Sequence, residues 1–182
     1  MKRHEFEHVL KAAADIVNDE IVVIGSQSIL AQFPEAPDGL LMSMEVDVYP
    51  RTNPDRADEI AGAIGDGSSF HDTYHYYAHG VGPETPIAPA GWEGRLVPVE
   101  LRAHSRAQGT VKAWCMEAHD LVLAKLAAGR QHDLEFAEGA IRAGLVDPER
   151  LTLGIELMPS KHRKRTRDRL VGILDRVRCR GG

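Results

Sequence analysis

Two stretches of the sequence decide the fold: Ile21-Val-Val-Ile-Gly-Ser26 and Met42-Ser-Met-Glu-Val-Asp-Val-Tyr-Pro50. The first opens with four β-branched residues, too few for a helix, and predicts a buried strand that ends at Gly25-Ser26. The second alternates apolar and polar residues, which predicts a strand with one core face and one acidic face. The acidic face carries Glu45 and Asp47. The apolar face carries Met44, Val46 and Val48.

Helical periodicity surrounds these two strands. Apolar residues recur every three or four positions over residues 4–18, which predicts an amphipathic helix. A second helix is predicted over residues 54–64, because Pro suits a first helical position and glycines at 65 and 67 end it. A shorter helix is predicted over residues 26–33, because Ser is a favourable N-cap and a proline follows at position 34. The elements therefore alternate between helix and strand in this half of the chain.

The remaining sequence adds strands and then only helices. Residues 68–90 combine aromatic residues with Gly and Pro, which predicts a hairpin and a long loop, and strands are predicted at 96–102 and 109–116. From residue 117 onward only helical periods follow. We therefore predict an α/β (α+β) chain: a core over residues 1–116 with a small mixed sheet and flanking helices, and a C-terminal helical region over residues 117–182 packed on it.

Charge is unevenly distributed along the chain. The 182 residues carry 22 Lys+Arg and 27 Asp+Glu, a net charge of −5. Residues 161–182 hold nine basic and two acidic residues, so this end is +7 and residues 1–160 are −12. Two cysteines exclude a disulfide framework, and no signal peptide or membrane-length apolar run is visible. A cytoplasmic protein with no membrane partner is expected.

The basic end has two interpretations. Its cations fill the first half of a predicted helix, where they oppose the helix dipole. They are simply a solvated charged face, or they bind a phosphate backbone, since Lys and Arg give affinity for RNA without reading its sequence. The candidate RNA-binding residues are Lys161, Arg163, Lys164, Arg165 and Arg167.

The acidic strand face is the strongest candidate for chemistry. Residues two apart on a strand lie about 6.6 Å apart on one face, close enough for Glu45 and Asp47 to bind one divalent cation such as Mg²⁺ or Mn²⁺. The alternative is a solvated strand face without a ligand. Gly25-Ser26, at a strand end before a helix, suits either phosphate binding or a plain tight turn.

A later segment, Asp120-Leu-Val-Leu-Ala-Lys125 to Asp133, places a lysine within an otherwise apolar helix. Such a lysine needs a partner, and pairing with Asp133 would be a purely structural outcome. The functional interpretation is that Lys125 and Arg130 bind nucleotide phosphates while Asp133 positions or deprotonates an attacking hydroxyl.

In this order, these motifs resemble the nucleotidyltransferase-fold superfamily, in which a strand-end Gly-Ser precedes an acidic-x-acidic strand. The closer resemblance, over residues 20–140, is to bacterial AbiEii/MenT-type toxin nucleotidyltransferases, whose later lysine and aspartate motifs look like Lys125 and Asp133. The chain departs from that pattern in two ways: Glu45 stands where many members have Asp, and 18 residues separate Ser26 from Glu45.

The resemblance implies a function. The protein would transfer a nucleoside monophosphate from a nucleoside triphosphate (NTP) to an acceptor hydroxyl. In the toxin-like relatives the acceptor is the tRNA 3′ end, so the resemblance implies the toxin of a toxin-antitoxin system. Glu45 and Asp47 would hold the metal, Lys125 and Asp133 would complete the catalytic set, and an antitoxin could phosphorylate Ser43. The alternatives are a non-catalytic nucleic-acid-binding or antitoxin-like module, or the same chemistry on a small molecule or a protein.

Three further features of the sequence have a metal-binding or a structural interpretation. Glu100, on a predicted strand, is a weaker candidate for a third metal ligand, because exposed strand carboxylates are common. The histidines at positions 71, 75 and 79 fall in a predicted strand or loop, where four-residue spacing does not build a metal face, so structural or substrate-loop roles are favoured. Trp92 and Trp114 are predicted core or rim aromatics.

Overall fold

A five-stranded mixed sheet forms the centre of the computed structural model, which describes residues 1–102 and 110–180. Its order is β3-β2-β1-β5-β4. β1 runs antiparallel to β2 and parallel to β5, β3 is parallel to β2, and β4 is antiparallel to β5. The strands are β1 (Ile21–Ile24), β2 (Glu45–Pro50), β3 (Tyr77–Gly80), β4 (Val97–Arg102) and β5 (Thr110–Cys115).

Seven α-helices flank this sheet in the described part of the chain, with short 3₁₀ turns between them. They are α1 (Arg3–Val17), α2 (Ala57–Ile64), α3 (Ser69–Tyr74), α4 (Ala118–Ala128), α5 (Gln131–Arg142), α6 (Pro148–Gly154) and α7 (Ser160–Arg180). The predicted α/β class, with a mixed sheet and a C-terminal helical region, is confirmed.

β1 is buried along its whole length because it lies between β2 and β5. This explains its unbroken β-branched sequence, since both faces and both edges are covered. One hydrophobic cluster joins the sheet to the helices that follow it, and includes Val23 of β1, Leu121 and Leu126 of α4, and Leu170 of α7. The sheet and the helices that follow it therefore share one hydrophobic core. None of the described helices is long and apolar enough to span a membrane.

Two predicted elements have different bounds. The second strand begins at Glu45 instead of Met42, and Met42 and Met44 are 78% and 54% exposed. The assignment of Met44 to the core face was therefore wrong, whereas Val46 and Val48 are fully buried. The predicted helix after Gly25 is a 3₁₀ helix, Ser26–Ala31, whose N-cap is Gly25 and not Ser26.

The hairpin predicted over residues 68–90 is wrong. The segment forms α3, which Ser68 caps by accepting the His71 backbone N–H, and then the edge strand β3. A chain reversal at His75, with φ of 64°, separates helix from strand. β3 pairs with β2 in parallel, and this topology matters because it places new side chains beside the acidic pair. Of the predicted strand at 109–116, residue 109 lies outside the described residues.

Candidate active site

The acidic residues of β2 face two polar side chains of the neighbouring strand. The parallel register pairs Glu45 with Tyr77 and Asp47 with His79. The Tyr77 hydroxyl donates to Glu45 Oε2 at 3.1 Å, and His79 Nδ1 lies 3.0 Å from Asp47 Oδ1. Each carboxylate is thus oriented by a partner on β3.

Gly25 brings the end of β1 close to Asp47. A Cβ built at Gly25 would lie 2.3 Å from Asp47 Oδ2, and the backbone φ of 73° falls in the left-handed region that disfavours side chains. Only glycine therefore lets the turn after β1 pass against this carboxylate. The sequence left phosphate binding and a plain tight turn open at Gly25, and the structure shows a turn that passes close to Asp47.

A second group of charged side chains lies on α4, on α5 and in the turn between them. Asp133, at the start of α5, is fully buried and accepts from Lys125 Nζ at 2.9 Å through one oxygen. Its other oxygen accepts from the Arg130 guanidinium at 2.8 Å. These two cations lower the pKa of Asp133, although burial alone would raise it. The carboxylate is therefore an ionised anchor for both cations, and the pairing foreseen as a structural alternative does form.

Asp47 of the acidic pair lines one cleft with the Asp133 group, whereas Glu45 is not among the residues that line it. Its walls include Gly25 and Asp47 on the sheet side and Lys125, Arg130 and Asp133 on the helix side. Its apolar lining comes from Ile24, Ile87, Met116, Leu121, Ala124 and Ala128. Acidic, basic and apolar surfaces therefore meet in a single cleft.

The electrostatics of the acidic pair favour a cation. Burial, and then the neighbouring Glu45 carboxylate, raise the pKa of Asp47, whereas His79 and Lys125 act against that shift. Two carboxylates this close repel each other unless a positive charge joins them. One ligand atom from each of Glu45, Asp47 and His79 lies within 4.8 Å of the others, and oxygen and nitrogen donors in such a cluster fit a divalent cation.

The comparison with known families agrees with this arrangement. Residues 4–169 match a family described as a nucleotidyltransferase of unknown function (DUF6036). The chain belongs to this nucleotidyltransferase family. No curated protein and no solved structure shows significant similarity to it. Family membership therefore gives the chain a transferase chemistry and a nucleotide substrate, and leaves its acceptor to be inferred from the site.

Glu100 does not belong to the site of this nucleotidyltransferase. It lies on the edge strand β4, which β5 and β1 separate from β2. Three strand spacings of about 4.8 Å put the two backbones roughly 14 Å apart. Glu100 is exposed and pairs across the sheet with Lys112, which excludes it as a third ligand beside Asp47.

Two serines of the nucleotidyltransferase have predicted roles in the site. Ser26 begins the 3₁₀ helix directly after Gly25 and is partly exposed. Ser43 precedes β2, where its hydroxyl accepts the Glu45 N–H at 3.1 Å and lies 3.2 Å from the Glu45 carbonyl oxygen. The buried Gln27 amide also donates to the Ser43 carbonyl at 2.9 Å. Ser43 therefore sets the backbone at the point where the acidic strand begins.

The predicted RNA-binding cations of α7 fall into two groups. Arg163 and Arg167 are engaged: Arg167 forms a 2.5 Å ion pair with Glu156, and Arg163 donates to the Met158 carbonyl. In the described part of the chain no ion pair involves the exposed Lys161, Lys164 or Arg165. Those three side chains are available to a ligand.

One further α7 residue, Arg169, contacts the end of α4. The Arg169 guanidinium donates to the Leu126 and Ala127 carbonyls at the end of α4. A Cβ on Gly129 would overlap this guanidinium, at 1.9 Å from its Cζ. The turn from which Arg130 extends is thus packed against α7.

His79 and Tyr77 join the candidate site although the sequence did not indicate them. Their spacing of two, as in Glu45 and Asp47, is the signal of a strand face, but the predicted hairpin hid that β3 lies beside β2. His71 has a structural contact, since its ring accepts the Gly67 N–H. Trp92 is buried in the core, and the Trp114 indole N–H donates to Glu20 at the rim.

Proposed function

We propose that this protein transfers a nucleoside monophosphate from an NTP to an acceptor hydroxyl, with Mg²⁺ or Mn²⁺ as cofactor. The observation that carries the proposal is the single cleft in which Asp47 faces Lys125 and Arg130. A non-catalytic binding module would have no need for an aspartate and a largely buried, aspartate-bound lysine on opposite walls of one cleft.

The charges of the cleft suit a triphosphate. Lys125 and Arg130 are held by Asp133 and are the cations that would bind its phosphate oxygens. Gly25 and Ser26 would offer backbone N–H groups to the same phosphates. The apolar wall, which includes Met116 and Leu121, suits the base and sugar.

In the proposed reaction the acceptor hydroxyl oxygen bonds to the α-phosphorus, and the bond from that phosphorus to the bridging oxygen breaks. The hydroxyl proton passes to solvent and pyrophosphate leaves. A divalent cation bound by Glu45 and Asp47 would neutralise charge on the phosphates and align the reacting oxygens. Asp133 is an anchor for two cations in this scheme, since both of its oxygens are engaged and its pKa is lowered, which is the opposite of what a general base needs.

RNA is the acceptor that the surface supports best. Lys161, Lys164 and Arg165 are exposed on one helix, and the helix packs through Arg169 against the turn that carries Arg130. Such cations bind phosphates without reading bases. If the acceptor is the tRNA 3′ end, nucleotide addition there would block aminoacylation and make the protein a toxin.

A toxin role would also give Ser43 a function. A phosphate on its hydroxyl would break the contact with the Glu45 backbone and place negative charge before the acidic strand, where it repels both metal and triphosphate. An antitoxin that phosphorylates Ser43 would therefore inactivate the site.

Substitution of Lys161, Lys164 and Arg165 by Ser should weaken RNA binding and leave transfer to a short oligonucleotide unchanged. Loss of up to three phosphate contacts should make the slope of log K against log salt shallower by roughly 2 to 3. Filter binding of tRNA over a salt series measures this slope. The matched control is Arg176→Ser on the same helix, which pairs with Glu138 and is not a candidate RNA contact. If the wild type, the triple variant and Arg176→Ser all gave the same slope, the face that carries Lys161, Lys164 and Arg165 would be excluded as the RNA site.

The proposed reaction is tested with NTPs labelled at either end. The protein is incubated with each α-labelled or γ-labelled NTP and with tRNA, total RNA, protein extract or small metabolites as acceptor. We expect α-label in tRNA and γ-label only in pyrophosphate. Label in protein or small molecules would keep the chemistry and replace the acceptor. No transfer to any pool would leave the binding-module alternative.

A further inference from the structure

The strand β3 adds an imidazole to the proposed metal site. His79 is 55% exposed at its side chain and lies in register with Asp47, whose carboxylate is its hydrogen-bonding partner. Any cation that reaches Glu45 and Asp47 from the cleft therefore comes within reach of this ring.

We propose that His79 is the third protein ligand of the cation and that the site consequently prefers Mn²⁺ to Mg²⁺; this inference rests on the proposed function.

The distances support direct coordination. Neighbouring ligands in an octahedral site lie about 3.0 Å apart when each is about 2.1 Å from the metal. His79 Nδ1 is 3.0 Å from Asp47 Oδ1, so both atoms already have the separation of adjacent ligands. The ligand atoms of Glu45, Asp47 and His79 lie within 4.8 Å of one another, which is too close for independent sites.

The position of His79 in the sheet also explains why no third carboxylate is needed. β2 has two neighbours, β1 and β3. The β1 residue in register with Asp47 is Ile24, which cannot bind a metal, and Gly25 follows it. On the β3 side the residue in register with Asp47 is His79. A third ligand from a strand next to Asp47 must therefore come from His79.

A nitrogen ligand changes the expected choice of metal. Mg²⁺ prefers six oxygens in a strict geometry, whereas imidazole is a ligand of first-row transition metals. Two carboxylates and one imidazole leave positions for water and phosphate oxygens around Mn²⁺. The alternative is that His79 only orients Asp47 by donating a hydrogen bond to it, as residues behind metal ligands commonly do.

The test uses the full-length protein with Mn²⁺ alone and then with Mg²⁺ as competitor. Electron spin echo envelope modulation of bound Mn²⁺ detects a directly bound histidine nitrogen without any assay of activity. We expect ¹⁴N modulation in the wild type and none in His79→Ala. By isothermal titration, Mn²⁺ should bind about ten-fold or more tightly than Mg²⁺ in the wild type, and that preference should fall to about two-fold in His79→Ala.

The control is His75→Asn, because His75 is exposed, lies outside the cluster and has a left-handed backbone that Asn tolerates. It should keep both the modulation and the preference. Bound Mn²⁺ without ¹⁴N modulation in the wild type would overturn the ligand role of His79 and leave the proposed function standing. If Mn²⁺ does not bind the wild type at all, with or without an NTP, the metal site of the proposed function fails as well.

Discussion

Asp47→Asn is expected to lower the rate of nucleotidyl transfer by about a thousand-fold and to leave the fold intact. The amide has nearly the same shape as the carboxylate, so it fits beside Gly25 and can keep the contact with His79. It removes the negative charge that a cation needs, and it also removes the repulsion between Asp47 and Glu45. Transfer of α-label and thermal unfolding are the two measurements.

Glu100→Gln is the matched control for Asp47→Asn. It makes the same chemical change on an exposed strand residue at the opposite edge of the sheet. Full activity is expected in this variant. Equal activity in Asp47→Asn and the wild type would contradict the placement of the reaction at this cleft.

Asp133→Ala is expected to destabilise the protein by about 3 kcal/mol and to abolish transfer. Asp133 is fully buried, and the Lys125 side chain that it binds is only 12% exposed. Without the carboxylate, Lys125 keeps its charge at a largely buried position on the cleft wall and loses its 2.9 Å ion pair. For a chain of this size the midpoint of thermal unfolding should fall by roughly 6–12 °C.

The pH dependence of this stability difference has a definite sign. The pKa of Asp133 is lowered in the folded state, so its contribution is complete above the ordinary carboxyl pKa and is lost as pH falls through the folded value. The wild type and Asp133→Ala should therefore differ most near neutral pH and converge in acid.

Glu135→Ala is the control for Asp133→Ala, since Glu135 is exposed on the same helix and accepts a hydrogen bond from Gln131. It should change the unfolding midpoint by no more than about 2 °C. A stable Asp133→Ala with normal transfer would show that the buried pair neither supports the fold nor serves the site.

Local spacing in the sequence was enough to predict part of the candidate site. The two-residue period placed Glu45 and Asp47 on one strand face, and the position of Lys125 in an apolar helix required the acidic partner that it has in Asp133. The buried strand β1 was also predicted, because four β-branched residues have few other ways to fold.

The rest of the candidate site depends on contacts between distant parts of the chain. His79 joins the site only because β3 pairs in parallel with β2. Two helices separate these strands in sequence, so no local pattern records their pairing. The roles of the cations in α7 also depend on the fold. Its sequence shows a run of cations, but only the fold shows that Arg167 is paired with Glu156, whereas Lys161 remains exposed.

The most direct test of the account is a crystal structure of the protein with Mn²⁺ and an NTP analogue that cannot be cleaved at the α–β bridge. We predict an anomalous Mn²⁺ peak at Glu45 and Asp47, with the triphosphate between that ion and the Lys125–Arg130 wall. A nucleotide bound elsewhere, or an Mn²⁺ peak away from both carboxylates, would contradict the proposal that this cleft is where nucleotidyl transfer occurs.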